Sequence, residues 1–586
     1  MNALRMRGII VVVLFALGFT VLSVRLVYLQ LMQHDYFLAE AIKMHYTGVP
    51  IPPRRGSIRD KSGNVLAQTI RVNDLRVDGK LASSRPDFFE KLAPALGLSV
   101  EQLKEQVNPQ NRYQLIKTEL TEEELTRIRE LKLKPVILSE RMTRIYPNGS
   151  EASHILGFVN AVQQPLSLNG LSLEFEVGQD GMEKTMERYL KGVAGERRVV
   201  RDASKREIAA FRQSDRPARD GMDVVLTIDQ QIQHIIEVET DRLVQEFKPE
   251  GVQVIVMNPS TGEILGLTNR PTFDPGNRKG ISPAQLRNAA FVNTYEPGST
   301  FKIVTLSAAL NENAADLDMP IFCENGKFFY AGKWLNDHAP YGILTLRQIV
   351  ARSSNIGFAK LAILLGQDKI YHYAKQFGFG AMAQPRSVAL TGEEPGLLHP
   401  LKRWTPLSIT RVPMGYEVAV TNLQMTLTYA AIANGGKLME PRLVKAVLDN
   451  QGKPVIEYMP KAIRQVVRPD VATQIRDALK DVVSDEGTAQ MANVPGFTVA
   501  GKTGTAQKLV GGHYNHDDYI SSFIGFLPAD KPEFLVSILV DRPHGKYYGG
   551  LVAAPAFSKI ATQVAQQLRL NRSDTTTAFL TREDGS

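Results

Sequence analysis

Cysteine is almost missing from this chain: its 586 residues hold one, Cys323. A single thiol allows no internal disulfide and no cysteine-built metal cluster, and Cys323 reads as a small buried apolar residue. A dense Lys/Arg block with interleaved aromatics is also missing, so a net charge of +8 spread over this length carries no nucleic-acid footprint. The excess suffices for attraction to an anionic membrane or polymer. No internal repeat is visible. With 43% hydrophobic and 22% charged residues, the chain is globular and long enough for two or three domains.

Charge is absent from Gly8 to Val24, seventeen residues at the short end of what crosses a hydrocarbon core of ~30 Å. No small-residue cleavage site follows; Arg25-Leu-Val-Tyr-Leu-Gln-Leu-Met32 comes next, so the run reads as an uncleaved anchor continuing into a stalk. Arg5 and Arg7 lie just ahead of it, which puts the N-terminus in the cytoplasm and the remainder outside. The division this suggests is a cytoplasmic N-terminus (1–7), an anchor (8–24), a stalk (25–50), a noncatalytic domain (51–220), a catalytic domain (221–570) and a disordered polar tail (571–586).

Residues 51–220 are turn-rich and hold no catalytic constellation. Ile51 to Ala67 reads as two short strands about the Lys61-Ser-Gly63 turn, Phe88 to Leu96 as a helix, and Thr121-Glu-Glu-Glu124 as a capping box opening a helix through Leu131. His154, alone among apolar neighbours, reads as a hydrogen-bonded structural histidine; Glu174 and Glu176 read as a solvated strand face. From Gly221 a strand (Val224 to Asp229), a long helix (Gln230 to Phe247) and a hairpin (Val252 to Met257, Ile264 to Thr268) follow. Helices dominate to about Asn434, then strands over Phe497 to Ala506, Ser521 to Phe526 and Phe534 to Val540, and a helix from Pro555 to Leu570. Strands at both ends with helices between describe an α+β domain whose sheet joins segments remote in sequence.

The chemistry is carried by three short segments. In Tyr295-Glu-Pro-Gly-Ser-Thr-Phe-Lys302, a Pro-Gly turn precedes an apolar helix with Ser299 in its first turn and Lys302 three residues on, the same face. A serine hydroxyl needs a base, and lysine is one only when burial or a nearby cation keeps its amine neutral. A capping serine and a solvated lysine would give the same pattern, so partners decide. Ser353-Ser-Asn355 offers a helix break with a hydroxyl and an amide that could pass protons and hold a substrate amide. Lys502-Thr-Gly-Thr505 lies on a strand: Gly504 lets backbone come close and Lys502 supplies positive charge for a carboxylate. Strict alternation would separate Lys502 and Gly504 from Thr503 and Thr505, so a twist or irregularity is expected. His513-Tyr-Asn-His-Asp-Asp518 holds possible metal ligands in His513, His516 and Asp517, but reads as a polar loop beside the groove, with no metal expected there.

The trio SxxK, SxN and KTG is that of penicillin-binding proteins and serine β-lactamases. With Arg55-Gly-Ser-Ile-Arg-Asp60, Arg144-Ile-Tyr-Pro147, Gly181-Met-Glu183 and Gly487-Thr-Ala489, the chain resembles, over nearly its whole length, the class B penicillin-binding proteins, monofunctional peptidoglycan transpeptidases, and among them the septal cell-division member. The resemblance implies a transmembrane helix, an irregular α+β pedestal and a transpeptidase domain with an antiparallel sheet and a helical subdomain. It implies that Ser299 attacks the penultimate D-Ala carbonyl of a stem peptide with Lys302 as base. Ser353 would relay the proton to the leaving amine and Asn355 contact the substrate amide. Lys502, Thr503 and Thr505 would hold the terminal carboxylate, beside Gly504, and the N–H groups of Ser299 and Thr505 would form the oxyanion hole. Expected partners are peptidoglycan stem peptides, β-lactams as covalent inhibitors, the membrane, a glycan polymerase of the shape, elongation, division and sporulation (SEDS) class and divisome proteins, with no nucleic acid. Where many members have Gly-Tyr-Gly this chain has Gly415-Tyr-Glu417, a departure at the rim of the site. Two rivals remain, a β-lactamase or β-lactam sensor of the same superfamily and a catalytically silent scaffold. Asn355 and the large pedestal count against the first, and the intact Ser299, Lys302, Ser353, Asn355 and Lys502 against the second.

Overall fold

The computed structural model describes residues 2–37, 46–85, 87–165, 172–200, 214–382, 392–511 and 513–572. It forms two compact units, one made of Met1–Arg54, Ala161–Phe175 and Gly192–Asp220, the other of Arg55–Asn160, Glu176–Lys191 and Gly221–Ser586. The expected stalk and tail fall partly outside the described residues.

The first unit opens with the helix Asn2–Val27, which passes into a π-helical turn, Tyr28–Met32. Residues Arg5–Met32 are long and apolar enough to cross a membrane, and their large side chains, Phe15 and Phe19 among them, are exposed instead of packed into a core. The helix outruns the uncharged stretch at both ends because an arginine limits a hydrophobic span without interrupting main-chain hydrogen bonds. Farther on, Tyr46–Ile51 pairs antiparallel with Gly195–Val200, which pairs with Ser214–Arg216.

In the second unit the pedestal part is built on the strand Val65–Val77, paired in continuous register with Val136–Ile145. The helices Asp87–Leu96 and Glu122–Leu131 bury Phe88, Leu92, Leu125 and Ile128 with Leu75 and Val77 in one core. The Thr121 box forms as expected: Thr121 Oγ1 accepts the Glu124 N–H at 3.2 Å and Glu124 Oε2 the Thr121 N–H at 3.1 Å. The segments at Arg55, Arg144 and Glu183 converge on one buried ion cluster. Arg55 Nε and Arg144 Nε each donate to a different oxygen of the Glu183 carboxylate at 2.7 Å, and Arg55 also pairs with Glu187 at 2.7 Å. Glu176 corrects the reading of a solvated strand face, since its carboxylate accepts from Thr69 Oγ1 at 2.9 Å and burial raises its pKa. Arg55 Nη1 donates to the Glu176 carbonyl at 3.1 Å, which holds this end of the strand against the arginine cluster. His154 is the structural histidine expected, its Nε2 2.8 Å from the Gln285 carbonyl.

The catalytic part has a five-stranded antiparallel sheet of β1 (Gly251–Met257), β2 (Ile264–Arg270), β3 (Ala500–Val510), β4 (His513–Leu527) and β5 (Phe534–Asp541), in the order β2-β1-β5-β4-β3. The helices that matter for the site are α1 (Gln230–Phe247), α2 (Lys302–Asn311), α3 (Leu346–Arg352), α4 (Asn355–Leu365), α5 (Asn422–Ala433) and α6 (Gly549–Gln567). α1 and α6 pack against each other and the sheet, while α5 touches β1, β4 and β5. α2 and α5 are buried along almost their whole length, so apolar residues occur all round them and the polar ones between, such as Thr305, Ser307, Thr426 and Thr428, are buried as well. A further sheet joins the two parts, since Asp223–Leu226, just past Gly221, pairs with both Ile58–Arg59 and Val444–Leu448.

Two expectations change. α6 begins six residues before Pro555, because proline is tolerated within a helix held by packing, and the Gly549 N–H is taken by Thr505 Oγ1 at 3.0 Å. His513 to Asp518 is the start of β4, not a loop; Asp518 there pairs with Arg542 at 2.7 Å. Polar composition suggested a loop, but a hairpin end beyond the core needs no apolar face.

Replacing Glu183 by alanine would take the carboxylate partner from buried Arg144 and leave Arg55 with Glu187 alone. We expect unfolding of the full chain in urea to show the pedestal destabilised by about 3–5 kcal/mol; a loss below about 1 kcal/mol would mean that the cluster is not structural.

Candidate active site

The nucleophile segment is bent before it is α-helical. Pro297-Gly298 leads into one 3₁₀ turn, Gly298–Phe301, and α2 begins only at Lys302. Gly298 has φ +56°, and a Cβ there would lie 3.1 Å from Ala506 Cβ on β3; handedness and close approach both ask for glycine. Residues three apart eclipse in a 3₁₀ turn, which aligns Ser299 with Lys302 more closely than the α-helical turn expected from the sequence. Tyr429 of α5 pins the turn, its hydroxyl donating to the Thr300 carbonyl at 2.9 Å.

Lys302 is 1% exposed. Its Nζ donates to Ser353 O at 2.7 Å, Asn355 Oδ1 at 2.8 Å and Ser353 Oγ at 3.2 Å. Burial, and after it the charge of Lys502, holds the amine well below the ordinary lysine value, while Asp337 pulls the other way. A neutral amine keeps two N–H groups and one lone pair, and of its three contacts only the Ser353 hydroxyl can reverse and donate. The arrangement can therefore move a proton between Lys302 and Ser353.

The helix break lies where the sequence puts it. α3 ends at Ser353, left-handed at φ +56°, and Ser354 caps α4, its Oγ accepting the Gly357 N–H at 2.9 Å. Asp337, which no sequence signal singled out, clamps the break. Its Oδ1 accepts the N–H of Asn355 at 2.5 Å and of Ile356 at 3.1 Å, and its Oδ2 accepts Ser354 Oγ–H at 2.6 Å. A carboxylate here satisfies two orphan donors at a helix N-terminus and complements its dipole.

β3 pairs with β4 without interruption from Ala500 to Gln507, so the irregularity expected at the KTG segment does not occur there. Regular pairing suffices: Thr503 and Thr505 line the cavity with Ser299, and Lys502 lies buried behind them with its Nζ 3.5 Å from Thr503 Oγ1. Lys502 is 2% exposed, and burial lowers its pKa to about 7. Its influence on Lys302 is electrostatic, which requires no shared face. At Gly504 a Cβ would sit 2.3 Å from Ser522 Oγ and 3.1 Å from Pro297 O, so a side chain would collide with β4 and crowd the turn that carries Ser299. β3 is the edge of its sheet, leaving its outward main-chain donors to the cavity.

The catalytic cavity measures about 680 Å³. Ser299, Ser353, Asn355, Thr503 and Thr505 line it; Lys302 and Lys502 lie buried behind its wall, and Gly504 sets the turn against the strand. All eight residues singled out from sequence thus meet at one place. Four kinds of neighbour were not foreseen there: His338, Thr488 against Thr503 (Oγ1 to Oγ1 2.8 Å), Tyr548, and Tyr519 stacked on Tyr547 at 4.2 Å. Thr488 had appeared only as part of Gly487-Thr-Ala489. At the rim, Tyr416 lines the cavity and Glu417 adopts φ +58°, the conformation glycine takes freely. Among the described residues, no group of three or more His, Cys, Asp and Glu is placed to hold a metal ion.

Residues 252–562 match the penicillin binding protein transpeptidase domain and residues 50–226 the penicillin-binding protein dimerisation domain. The chain belongs to the penicillin-binding protein transpeptidase family. It is 35% identical to stage V sporulation protein D of Bacillus subtilis over 95% of this chain and 85% of that one. To the peptidoglycan D,D-transpeptidase FtsI of Escherichia coli it is 28% identical over 96% and 92%. Among solved structures it is similar to penicillin binding protein 3 of Mycobacterium tuberculosis complexed with ampicillin, with a TM-score of 0.67, 26% identity, and 90% and 98% of the two chains covered. Fold class and family thus agree with the reading of the sequence: a mixed α+β penicillin-binding protein with an apolar N-terminal helix, a dimerisation-type domain and a transpeptidase domain.

Removing Asp337 would free the N-terminus of α4 and with it Asn355 and Ser353. We expect Asp337→Ala to slow acylation of Ser299 by penicillin about 10²-fold with the fold retained, because small displacements of reacting groups carry penalties of that order. An unchanged stopped-flow acylation rate would show that the break is held without Asp337.

Proposed function

We propose that this penicillin-binding protein is a peptidoglycan D,D-transpeptidase that cross-links stem peptides through an acyl-enzyme on Ser299, and that β-lactams acylate the same serine. The observation that carries the reading is Lys302, a buried amine three residues from a cavity-lining serine and bonded to both Ser353 and Asn355. Ser299 Oγ attacks the penultimate D-Ala carbonyl and its proton passes to Lys302. The tetrahedral oxyanion is met by the N–H groups of Ser299 and Thr505, donors typically worth ~3–4 kcal/mol each. As the C–N bond breaks, Ser353 delivers the proton to the departing D-Ala amine, and Asn355 holds the substrate amide. Lys502, Thr503 and Thr505 receive the terminal carboxylate beside Gly504; a carboxylate arriving next to a buried amine that titrates at about 7 raises its pKa and recharges it. A second stem peptide's amine then attacks the ester, forming the cross-link and restoring Ser299.

Septal cell-wall synthesis is its proposed setting, which the resemblance to the septal cell-division member and the similarity to FtsI support. In this reading the chain is anchored once in the bacterial plasma membrane, with Arg5 and Arg7 cytoplasmic and the catalytic domain outside. Residues 1–7, 8–24, 25–50, 51–220, 221–570 and 571–586 keep the division given above, and a SEDS-class glycan polymerase and divisome proteins are its partners.

The test is fluorescent penicillin on the full-length protein in detergent. A stable adduct that Ser299→Ala abolishes is expected; equal labelling of the variant would sink the nucleophile assignment, and steady turnover of the antibiotic would favour a β-lactamase. The pH profile follows from the two lysines. Acylation needs neutral Lys302, so the rate rises as that amine loses its proton, well below the ordinary lysine range. For a carboxylate-bearing β-lactam, kcat/KM then falls as Lys502 of the empty site deprotonates at about 7. An esterified β-lactam without the carboxylate is expected to lack the alkaline fall; identical profiles would remove Lys502 from carboxylate binding.

A further inference from the structure

His338 lines the catalytic cavity and has no part in the steps described so far. It stands directly after Asp337, on a segment pinned from both sides. The Asp337 N–H donates to the Gly326 carbonyl at 3.1 Å while its carboxylate holds the start of α4. One residue past His338 the chain passes close over Gly326, where a Cβ would lie 2.9 Å from the Ala339 carbonyl oxygen. The side chain itself is exposed, and neither ring nitrogen is hydrogen-bonded among the described residues. Its ring meets that of Tyr548, at the start of α6, edge to face with the centroids 6.4 Å apart.

The charges that act on the imidazole are those of Lys302, Asp337 and Lys502, so it stands on the side of the cavity where D-Ala departs in the mechanism above. Desolvation first, and then Lys302, hold its pKa below the ordinary imidazole value; Asp337 opposes them and Lys502 adds to them. At neutral pH the ring is therefore a free base. The cavity's other charged or titratable groups are Arg352, which is paired with Glu486 at 3.1 Å, and Tyr341, Tyr416, Tyr519, Tyr547 and Tyr548. A base in this place meets a need of the second half-reaction, which has one proton more than Lys302 and Ser353 can carry. In the first half Lys302 takes the Ser299 proton and returns it through Ser353 to the departing amine, so it enters the second half with room for one. A lysine-like acceptor arrives as an ammonium, with a pKa of about 10.4, and must lose two protons to become an amide nitrogen.

We propose that His338 is the catalytic residue that takes the first of these protons, as general base for the acceptor ammonium when the acyl-enzyme is released. The proposal rests on the function proposed above. The acceptor enters on the side that D-Ala has left, past His338 and Tyr548. The buried lysines that lower the pKa of His338 lower that of an incoming ammonium as well, which eases the transfer. The ammonium gives one proton to a ring nitrogen, and the exposed imidazole passes it to solvent. The free amine attacks the ester carbonyl. As the C–N bond forms, the second proton goes to Lys302, and as the C–O bond breaks, Lys302 returns it to Ser299 Oγ. One proton thus ends in solvent and one on the serine.

The test uses the full-length protein in detergent, with active sites counted by penicillin titration. The donor is a stem-peptide thioester, which acylates Ser299 without an amine leaving group. The acceptors are a stem tripeptide with lysine as its third residue, an ammonium at pH 7, and hydroxylamine, which is already neutral there. The readout is the rate at which each amine releases the acyl-enzyme. With the peptide acceptor, His338→Gln and His338→Ala are expected to lower that rate about 10²-fold, within the usual worth of a general base; with hydroxylamine the loss is expected to stay under about threefold. Imidazole added to His338→Ala is expected to restore the rate with the peptide. The ratio of wild-type to variant rate is expected to rise as His338 loses its proton, below the ordinary imidazole value of about 6.5, and to close again toward the acceptor's own pKa of about 10.4. Lys302 and Lys502 act alike in both proteins and cancel in that ratio. Equal loss with both acceptors, a ratio that does not change with pH, or a parallel fall in penicillin acylation would make His338 a residue that only shapes the cavity and would overturn the proposal alone. Failure of penicillin to titrate wild-type Ser299, with no transfer from the thioester, would bring down the proposed function and this role with it.

Discussion

The burial of the Lys302 amine is the constraint on which the rest of the catalytic half depends. An ammonium cannot be taken out of water without compensation, so either it is paired or it gives up its proton. Here the pairing is withheld: its neighbours are a carbonyl, an amide oxygen and a hydroxyl, the closest cation is another buried lysine, and the one nearby carboxylate is already occupied by three donors. Helix α2 must be buried for this to happen, and it is, from Lys302 to Leu310.

That burial forces the surroundings into specific shapes. The nucleophile turn has to touch β3, and only glycine at 298 and 504 lets two backbones come so close. The partners of Nζ must come from a chain segment that interrupts a helix, because main-chain groups inside a helix are already bonded; the Ser353 carbonyl and the Asn355 side chain are available only because α3 stops and α4 starts there. Asp337 holds that interruption, so a residue that touches no substrate fixes two that do in the proposed mechanism.

The pedestal solves the same electrostatic problem by the opposite route. Arg55 and Arg144 are as deeply buried as Lys302, yet each finds an oxygen of one carboxylate, Glu183. A guanidinium does not deprotonate, so pairing is its only way to be buried. The result there is a fixed joint between three distant segments, where in the catalytic half the result is a reactive amine.

Local sequence determined much of this protein. The uncharged N-terminal run, the Thr121 capping box, the helix from Gln230 to Phe247, the hairpin before the nucleophile and the helix break at Ser353 depend on neighbours within a few residues, and such signals are written contiguously. The eight candidate site residues could be gathered from the sequence because each sits in a short motif, and the fold brings them together. Tertiary structure decided what contiguity cannot express. Asp337, His338 and Tyr548 enter the site from positions with no local pattern. Glu176 is drawn from an expected solvent face by arginines far away in sequence, and α6 runs back through Pro555 because packing outweighs a local stop signal. Whether a lysine carries a proton is decided the same way, since desolvation is a property of everything that surrounds an atom and not of the residues beside it in the chain.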